Sequence, residues 1–294
     1  MAASLFSKNI TLRRELKIQD DEFIQLRDFI YNQSGIYIGD NRKYLLENRL
    51  INRLKANNLK SFGEYYYFLR YDKNRKIELN KLFEVITTNE TSFYRNPPQI
   101  KVFQDVILEK IIRLKRRESK RKLHIWSAGC SSGEEPYTLS IILHEVLKSE
   151  LPLWDVKITA NDLSSAVLQT ARHGIYSQYA LRSTPPDIVR KYFEEPSPGR
   201  FAVQDKVKKL IEFKQANLND RMQLKKIPGS EVIFCRNVMI YFDDEMKKNV
   251  VSSFYDNLHP GGYLFIGHSE SLHNISRTFK PVHHPGAIVY LKEG

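Results

Sequence analysis

The sequence predicts an α/β domain, an open parallel sheet with helices on both faces and a small inserted β-subdomain, preceded by an all-α domain. Three observations carry this. From about residue 20 to 87, apolar residues recur at helical spacing with no β-rich run between them. From residue 123, short β-rich runs alternate with amphipathic helices, the signature of a parallel sheet. Between the two lies TNETSFYRNPP (88–98), a polar segment that fits neither pattern.

In chain order, residues 1–19 are polar and basic and are expected to be a loose N-terminal segment. Asp20 or Asp21 is placed to cap a helix running to about Ser34, with Phe23, Leu26, Phe29 and Ile30 on one side and Gly35 as its stop. A second helix, from about Arg42 to Ala56, carries Leu45, Leu46, Leu50 and Leu54, and its Arg49 and Arg53 share a face. Ser61 opens a third helix and Arg75–Thr87 forms a fourth, closing an all-α domain over 20–87. In the linker and helix of 88–122, Pro97-Pro98 restarts a helix, because proline suits a first helical turn. From 123 to 294 the expected strands are LHIWSA (123–128), DVKITAND (155–162), EVIFCRN (231–237), GGYLFIG (261–267) and AIVYL (287–291). Helices are expected from about Glu135 to Lys148, Ser164 to His173 and Asp243 to Leu258. Residues 174–216, with four prolines and strands near Phe201–Val203 and Ile211–Lys214, interrupt the alternation as an inserted subdomain.

Composition narrows the class. The chain has 294 residues, 41% of them hydrophobic, so a real core forms and disorder is excluded as the main state. No stretch reaches the roughly 18–20 apolar residues of a membrane span, and MAASLFSKNITLRRELKIQ has no apolar signal core. Two cysteines, Cys130 and Cys235, suit a reduced, cytoplasmic chain and read as small buried thiols. The net charge is +12, of which Lys110–Lys122 supplies +7 with eight basic residues and one acid. That run reads as a solvated helix end rather than a nucleic-acid patch, since no zinc-finger spacing or RNP-like signature accompanies it. Trp126 and Trp154 read as core, and His283-His284 as a surface loop rather than a metal site.

In an open α/β sheet, ligands bind beyond the carboxyl ends of the strands. Three unusual loops fall there. SAGCSSGEEPYT (127–138) offers small residues for close backbone approach, but its two glutamates at a helix start repel a pyrophosphate. A ligand with hydroxyls, an amine or a sulfonium fits it better. Asn161-Asp162 ends the next strand, where an acid commonly meets ribose hydroxyls or else caps the following helix, for which Ser164 is the better cap. CRNVMIYFDD (235–244) brings Arg236, Asn237 and Tyr241 to the same rim. His268 and Glu270, in GHSES, also follow a strand at this edge and are candidate substrate contacts.

TTNETSFYRNP (87–97), WSAGCSSGEEPYTLSI (126–141), TANDLSSAVLQTARHGIY (159–176), FCRNVMIYFD (234–243) and GGYLFIGHSES (261–271) resemble the chemotaxis protein methyltransferases, the CheR family. The likeness covers about residues 20–292, in order. It implies a Rossmann-like class I methyltransferase domain that transfers a methyl group from S-adenosylmethionine to glutamate carboxylates of chemoreceptors. S-adenosylhomocysteine is the implied product, and no metal is involved. The resemblance further implies that Asn89, Thr91, Arg95, Glu135 (rather than Glu134), Asp162, Asn217, Leu218, Arg236 and Asn237 bind the cofactor. Tyr241 and Arg95 would stand near the transferring methyl group. Arg49 and Arg53, on a basic helix that also carries Arg42 and Lys43, would meet the acidic cytoplasmic helices of the receptor. The inserted subdomain corresponds to one that grips a receptor peptide in some members. Here EEPSPGRFAVQ (194–204) is short, which argues against such a tether.

A glutamate acceptor is already ionised at neutral pH, so the reaction implied needs no general base. Arg95 would orient the carboxylate and Tyr241 would fix its approach through a hydrogen bond. Two other classes stay open: a methyltransferase acting on another acceptor, such as nucleic acid, and a non-catalytic signalling homologue. The first would normally carry an Asn/Asp-Pro-Pro-aromatic element where this chain has RNVMIYF. The second conflicts with motifs in which nothing obvious is missing.

Overall fold

The computed structural model describes residues 16–87 and 90–294. The front of the chain is helical: α1 (Asp20–Ser34), α2 (Lys43–Ala56, entered through a 3-10 turn at Asp40–Arg42), α3 (Phe62–Tyr71) and α4 (Arg75–Ile86). Their apolar stripes meet in one core of Phe23, Leu26, Ile30, Leu46, Leu50, Leu54, Phe62, Tyr65 and Leu82. The start of α1 differs from expectation. Gln19, not an aspartate, is the cap, because the Glu22 carboxylate reaches back to the Gln19 N–H at 2.9 Å and also takes the Gly63 N–H at 2.7 Å. Leu16–Gln19 is not loose either: Ile18 is buried and its N–H donates to Glu47 at 2.8 Å. Residues 1–15, the rest of the segment expected to be loose, lie outside the described residues.

The prolines open α5 (Pro97–Val102), which runs through a π-helical stretch at Phe103–Leu108 into α6 (Glu109–Arg117). Phe103 drives this rod onto the sheet, with its ring edge-on to Phe234 and Phe265 at 5.0 and 5.8 Å. Then follow β1 (Lys122–Ala128), α7 (Glu134–Leu147), β2 (Asp155–Asp162), α8 (Ser165–His173), β3 (Ile175–Ser177), α9 (Pro186–Tyr192), β4 (Phe193–Ser197), β5 (Arg200–Val203), α10 (Asp205–Lys208), β6 (Ile211–Gln215) and α11 (Arg221–Leu224). The chain closes with β7 (Ser230–Cys235), α12 (Asp244–Asn257), β8 (Leu258–Ile266), β9 (Lys280–His284) and β10 (Ala287–Leu291).

Among the described residues the main sheet has seven strands in the order β6-β2-β1-β7-β8-β10-β9. The first five are parallel, and β10 joins antiparallel to both β8 and β9. Side chains alternate strictly. Ile125, Phe234 and Phe265 enter the core shared with α7 and the α5–α6 rod, while Trp126, Ile233, Cys235, Leu264 and Ile266 enter the core shared with α12. Burial on both faces explains why these strands read as continuous apolar runs.

Two expectations change. Ile211–Lys214 does not belong to the inserted subdomain: as β6 it pairs in parallel with β2 and is an edge strand of the main sheet. The separate sheet is only β3-β5-β4. His283 and His284 lie in β9, an edge strand, not in a loop. A five-residue edge strand containing Pro281 has weak period-2 patterning, which is why sequence reading passes over it.

Candidate active site

The strand order reverses between β1 and β7, and the carboxyl ends of both open on the same rim. The loop after β1 is stitched to the end of β2. The Gly129 and Cys130 N–H groups donate to the Asn161 carbonyl at 2.8 and 2.9 Å, and the Ser131 N–H donates to Asp162 at 2.9 Å. Gly129 has φ +74°, and a Cβ there would stand 2.5 Å from a Val238 methyl. Only glycine lets the β1 and β7 loops approach this closely. Asn161 is scaffold: it accepts from the Trp126 indole at 2.6 Å and donates to the Ala216 carbonyl at 3.1 Å.

Charged groups converge behind this loop. Glu135 accepts from Ser127 at 2.8 Å and pairs with Arg236 at 3.2 Å. Burial pushes the Glu135 carboxyl above its ordinary range and is opposed by Arg236 and Ser127. The same burial lowers the Arg236 guanidinium, against the pull of Glu135. Arg236 also donates to the Arg95 carbonyl, and its Nε is buried with no hydrogen-bond partner among the described residues. One guanidinium thus ties the end of β7, the first turn of α7 and the linker loop. Asp162, raised by burial against its backbone N–H donors, completes the acidic side.

The linker loop is bent at two non-glycine residues, Tyr94 (φ +52°) and Asn96 (φ +60°), which flank Arg95. Ser131 and Asn237 also have positive φ, at +49° and +59°. Each such conformation costs of the order of 1 kcal/mol and persists where surrounding bonds enforce it. Here the Phe93 N–H donates to the Ala180 carbonyl and the Tyr94 N–H to the Thr138 hydroxyl. Arg95 donates to the Glu90 carbonyl at 2.8 Å.

These residues line a cleft open to solvent, with about 910 Å³ of empty space counted out through its mouth. Of the sequence-predicted site residues, Thr91, Arg95, Glu135, Asp162, Asn217, Leu218, Arg236, Asn237 and Tyr241 all line it. Asn89 lies outside the described residues. Glu134 is turned away, buried and bonded to Ser132, which separates it from Glu135. Sequence reasoning missed Ser34, Ile36 and Thr87, by which the helical domain walls the cleft, and the apolar Leu163, Val238 and Phe242. A faint signal existed for the first group. Gly35 has φ +75°, and a Cβ there would meet Met246 of α12 at 2.6 Å, so a helix stop doubles as a contact between domains.

Three further candidates change role. Arg53 does not point outward: it makes a bidentate pair with the buried Glu78 at 2.8 and 2.7 Å, and the Tyr65 hydroxyl joins it. Arg49 donates to the Ile86 carbonyl. Their shared face is turned toward α4 because Glu78 sits there, a pairing between helices that spacing along one helix does not reveal. Glu270 is likewise occupied, by backbone N–H groups. Cys130 lines the cleft and Cys235 is buried beneath it, and burial pushes both thiols well above their usual value.

The donor set favours a cationic, hydroxyl-bearing ligand with an apolar ring. Carboxylates at Asp162 and Glu135 suit hydroxyls and an amine, Leu163, Leu218, Val238 and Phe242 suit a flat ring, and of the two arginines in the described lining Arg236 is already paired with Glu135. Comparison with known proteins agrees. Residues 89–288 match the family model "CheR methyltransferase, SAM binding domain", and residues 21–87 match "CheR methyltransferase, all-alpha domain". The chain belongs to the CheR methyltransferase family. A chemotaxis protein methyltransferase of Borreliella burgdorferi is 38% identical over 260 residues, covering 87% of this chain and 90% of that protein. Chemotaxis protein methyltransferase 2 of Vibrio cholerae is 37% identical over 265 residues, covering 90% of each. The Salmonella typhimurium protein is 32% identical over 274 residues. As a CheR methyltransferase, the chain is an S-adenosylmethionine-dependent enzyme, and the cleft at the rim of its sheet has the chemistry that this cofactor needs. Among the described residues no cluster of His, Cys, Asp and Glu could hold a metal ion, and no helix is long and apolar enough to cross a membrane.

Proposed function

We propose that this enzyme esterifies glutamate side chains on the cytoplasmic helical domain of chemoreceptors. The observation that carries the reading is how little of the inner cleft could serve as a base. Among the described residues the cleft lining holds no histidine or lysine. Of its carboxylates, Glu135 is paired with Arg236 and Ser127 and Asp162 is held by backbone N–H groups, while Glu90 stands exposed at the mouth, 3.3 Å from Arg182. An amine or alcohol acceptor must lose a proton on the way to product, whereas a glutamate has already lost it at neutral pH.

When bound, S-adenosylmethionine supplies an electrophilic methyl group on a sulfonium. Asn217, Leu218 and Asp162 are the residues proposed for its adenosine part, and Glu135, Arg236 and Asn237 for its amino-acid part. Arg95 orients the incoming carboxylate through its guanidinium fork, and Tyr241 fixes the approach with a hydrogen bond from its phenol. Arg95 positions the nucleophile more than it neutralises it, since tight pairing would blunt the attack. Alignment of the two reactants supplies the rate gain, which can reach roughly 7–11 kcal/mol for well-held reactants.

The receptor-facing surface is assigned to the helical domain. Arg49 and Arg53 fix how α2 sits on α4, so the long-range attraction to acidic receptor helices falls to exposed cations such as Arg42 and Lys55. The β4–β5 hairpin turns within Pro198-Gly199, a short connection that supports recognition without a peptide tether. The test is transfer of labelled methyl from S-adenosylmethionine to receptor cytoplasmic fragments. Label released by mild alkali as methanol is expected of an ester. Alkali-stable label, or label in nucleic acid, would overturn the acceptor assignment.

A further inference from the structure

We propose that Glu270, beyond the cleft, is a positioning residue for methyl transfer: it sets where Asn237 and Tyr241 stand. Glu270 follows β8, the neighbour of β7, in a tight turn closed by its own N–H to the Gly267 carbonyl at 2.9 Å. Its carboxylate is wrapped in backbone donors. Oε2 takes the Asn237 N–H at 2.9 Å and the Gly267 N–H at 2.6 Å, and Oε1 takes the Ile240 N–H at 3.1 Å. The two oxygens therefore grip both ends of the loop after β7. One grips Asn237, held at φ +59°, and the other Ile240, inside the 3-10 turn that delivers Tyr241.

Around that turn the backbone is committed on all sides. The Tyr241 N–H donates to the Val238 carbonyl, and the Tyr241 carbonyl takes the Tyr37 N–H of the helical domain at 2.8 Å. Gly267 keeps the clamp tight: a Cβ there would lie 2.7 Å from Glu270 Oε2 and 2.9 Å from the Asn237 nitrogen. A carboxylate, acceptor-only on both oxygens, is the side chain that can satisfy three converging N–H groups. Glutamine can keep the bonds to Asn237 and Gly267 but must turn its NH2 toward the Ile240 N–H. Alanine loses all three. The variants therefore separate the two grips.

This inference rests on the proposed role of Tyr241 and is tested with the full-length enzyme by three readouts. These are S-adenosylhomocysteine binding by calorimetry, single-turnover methyl transfer to receptor fragments, and amide hydrogen exchange at Asn237 and Ile240. Glu270→Gln is expected to bind S-adenosylhomocysteine within about threefold of the parent, to transfer at least tenfold more slowly, and to exchange faster at Ile240 only. Glu270→Ala is expected to lose on binding and transfer together and to exchange faster at both amides. Gly267→Ala, which keeps a glutamate at 270 but crowds both its Oε2 and the Asn237 nitrogen, is expected to weaken binding through Asn237. Glu270→Gln with parental transfer and protected Ile240 would overturn the proposal, as would Glu270→Ala whose folded fraction binds and transfers normally. If the parent itself methylates no receptor fragment, the acceptor assignment falls, while binding and exchange still decide the role of Glu270.

Discussion

Tyr241 and Arg95 differ in what they share with the rest of the site. Arg95 is held in a loop bent at both neighbours, and Tyr241 belongs to a turn fastened from two domains. Removing the phenol oxygen in Tyr241→Phe leaves that backbone in place. The expected outcome is S-adenosylhomocysteine binding near parental by calorimetry and a kcat lowered about tenfold or more, some 1.4 kcal/mol of barrier. Arg95→Lys keeps the charge but loses the fork, and a similar fall in kcat is expected. Near-parental kcat in both would remove them from the reaction. Arg53 makes a different prediction, of stability rather than rate. Its Glu78 partner is buried, so Arg53→Ala strands a carboxylate and is expected to cost about 3 kcal/mol in denaturant unfolding. Burial pushes the Glu78 carboxyl up, but hydrogen bonds from Arg53, Tyr65 and Asn57 outweigh it and leave it below the usual carboxylate range. A depressed native pKa contributes stability that is fully present above the unfolded-state value, about 4.3, and lost as pH falls through the native one. The stability gap between the parent and Glu78→Gln is therefore expected to be constant from pH 7 to about 5 and to shrink below that, as followed by chemical unfolding at each pH.

At the scale of elements, α12 shows how one residue can serve a helix and an interface together. Asp243 caps it by accepting the Met246 N–H at 2.8 Å, while its other oxygen takes the Tyr31 hydroxyl of α1 at 3.0 Å. Asp243→Ala is expected to lose about 1–2 kcal/mol by thermal or denaturant unfolding, combining the cap with the lost hydrogen bond. Asp243→Asn retains an oxygen for the cap and is expected to lose less than half of that. An equal loss in both would mean that charge, not the cap, holds this helix end.

For the whole molecule, the cleft has walls from both domains. Ser34, Ile36 and Thr87 face Glu135, Asp162 and Asn237 across it, and the Asn217 side chain donates to the Gln33 carbonyl at 2.7 Å. A ligand there couples the two parts. S-adenosylhomocysteine at a hundred times its Kd is expected to stabilise the native state by about 2.7 kcal/mol. In calorimetric scans that gain should move the unfolding of the helical and sheet domains together. A shift confined to one of two separate transitions would show that the helical domain contributes no binding.

Much of this was legible in the sequence because local chemistry repeats along the chain. The helical stripes of Phe23, Leu26 and Ile30, the strand runs around Ile125 and Phe234, and Gly35 as a stop all follow from periodicity and backbone sterics. The rim loops were legible too, since an open α/β sheet puts its strand ends in one place, whereas Thr91, Arg95, Asn217 and Leu218 entered only through the family resemblance. What only the tertiary structure decided were pairings between elements distant in sequence. Arg53 turns inward because Glu78 waits on another helix, Ile211–Gln215 joins the main sheet because β2 offers it an edge, and Glu270 is withdrawn from substrate because three N–H groups converge on it. The sequence by itself determined which residues are apolar, cationic or conformationally free. Which partner each polar group meets was left to the packing, because a buried charge or N–H takes whichever complementary group the fold brings within 3 Å, and no spacing along one element records that.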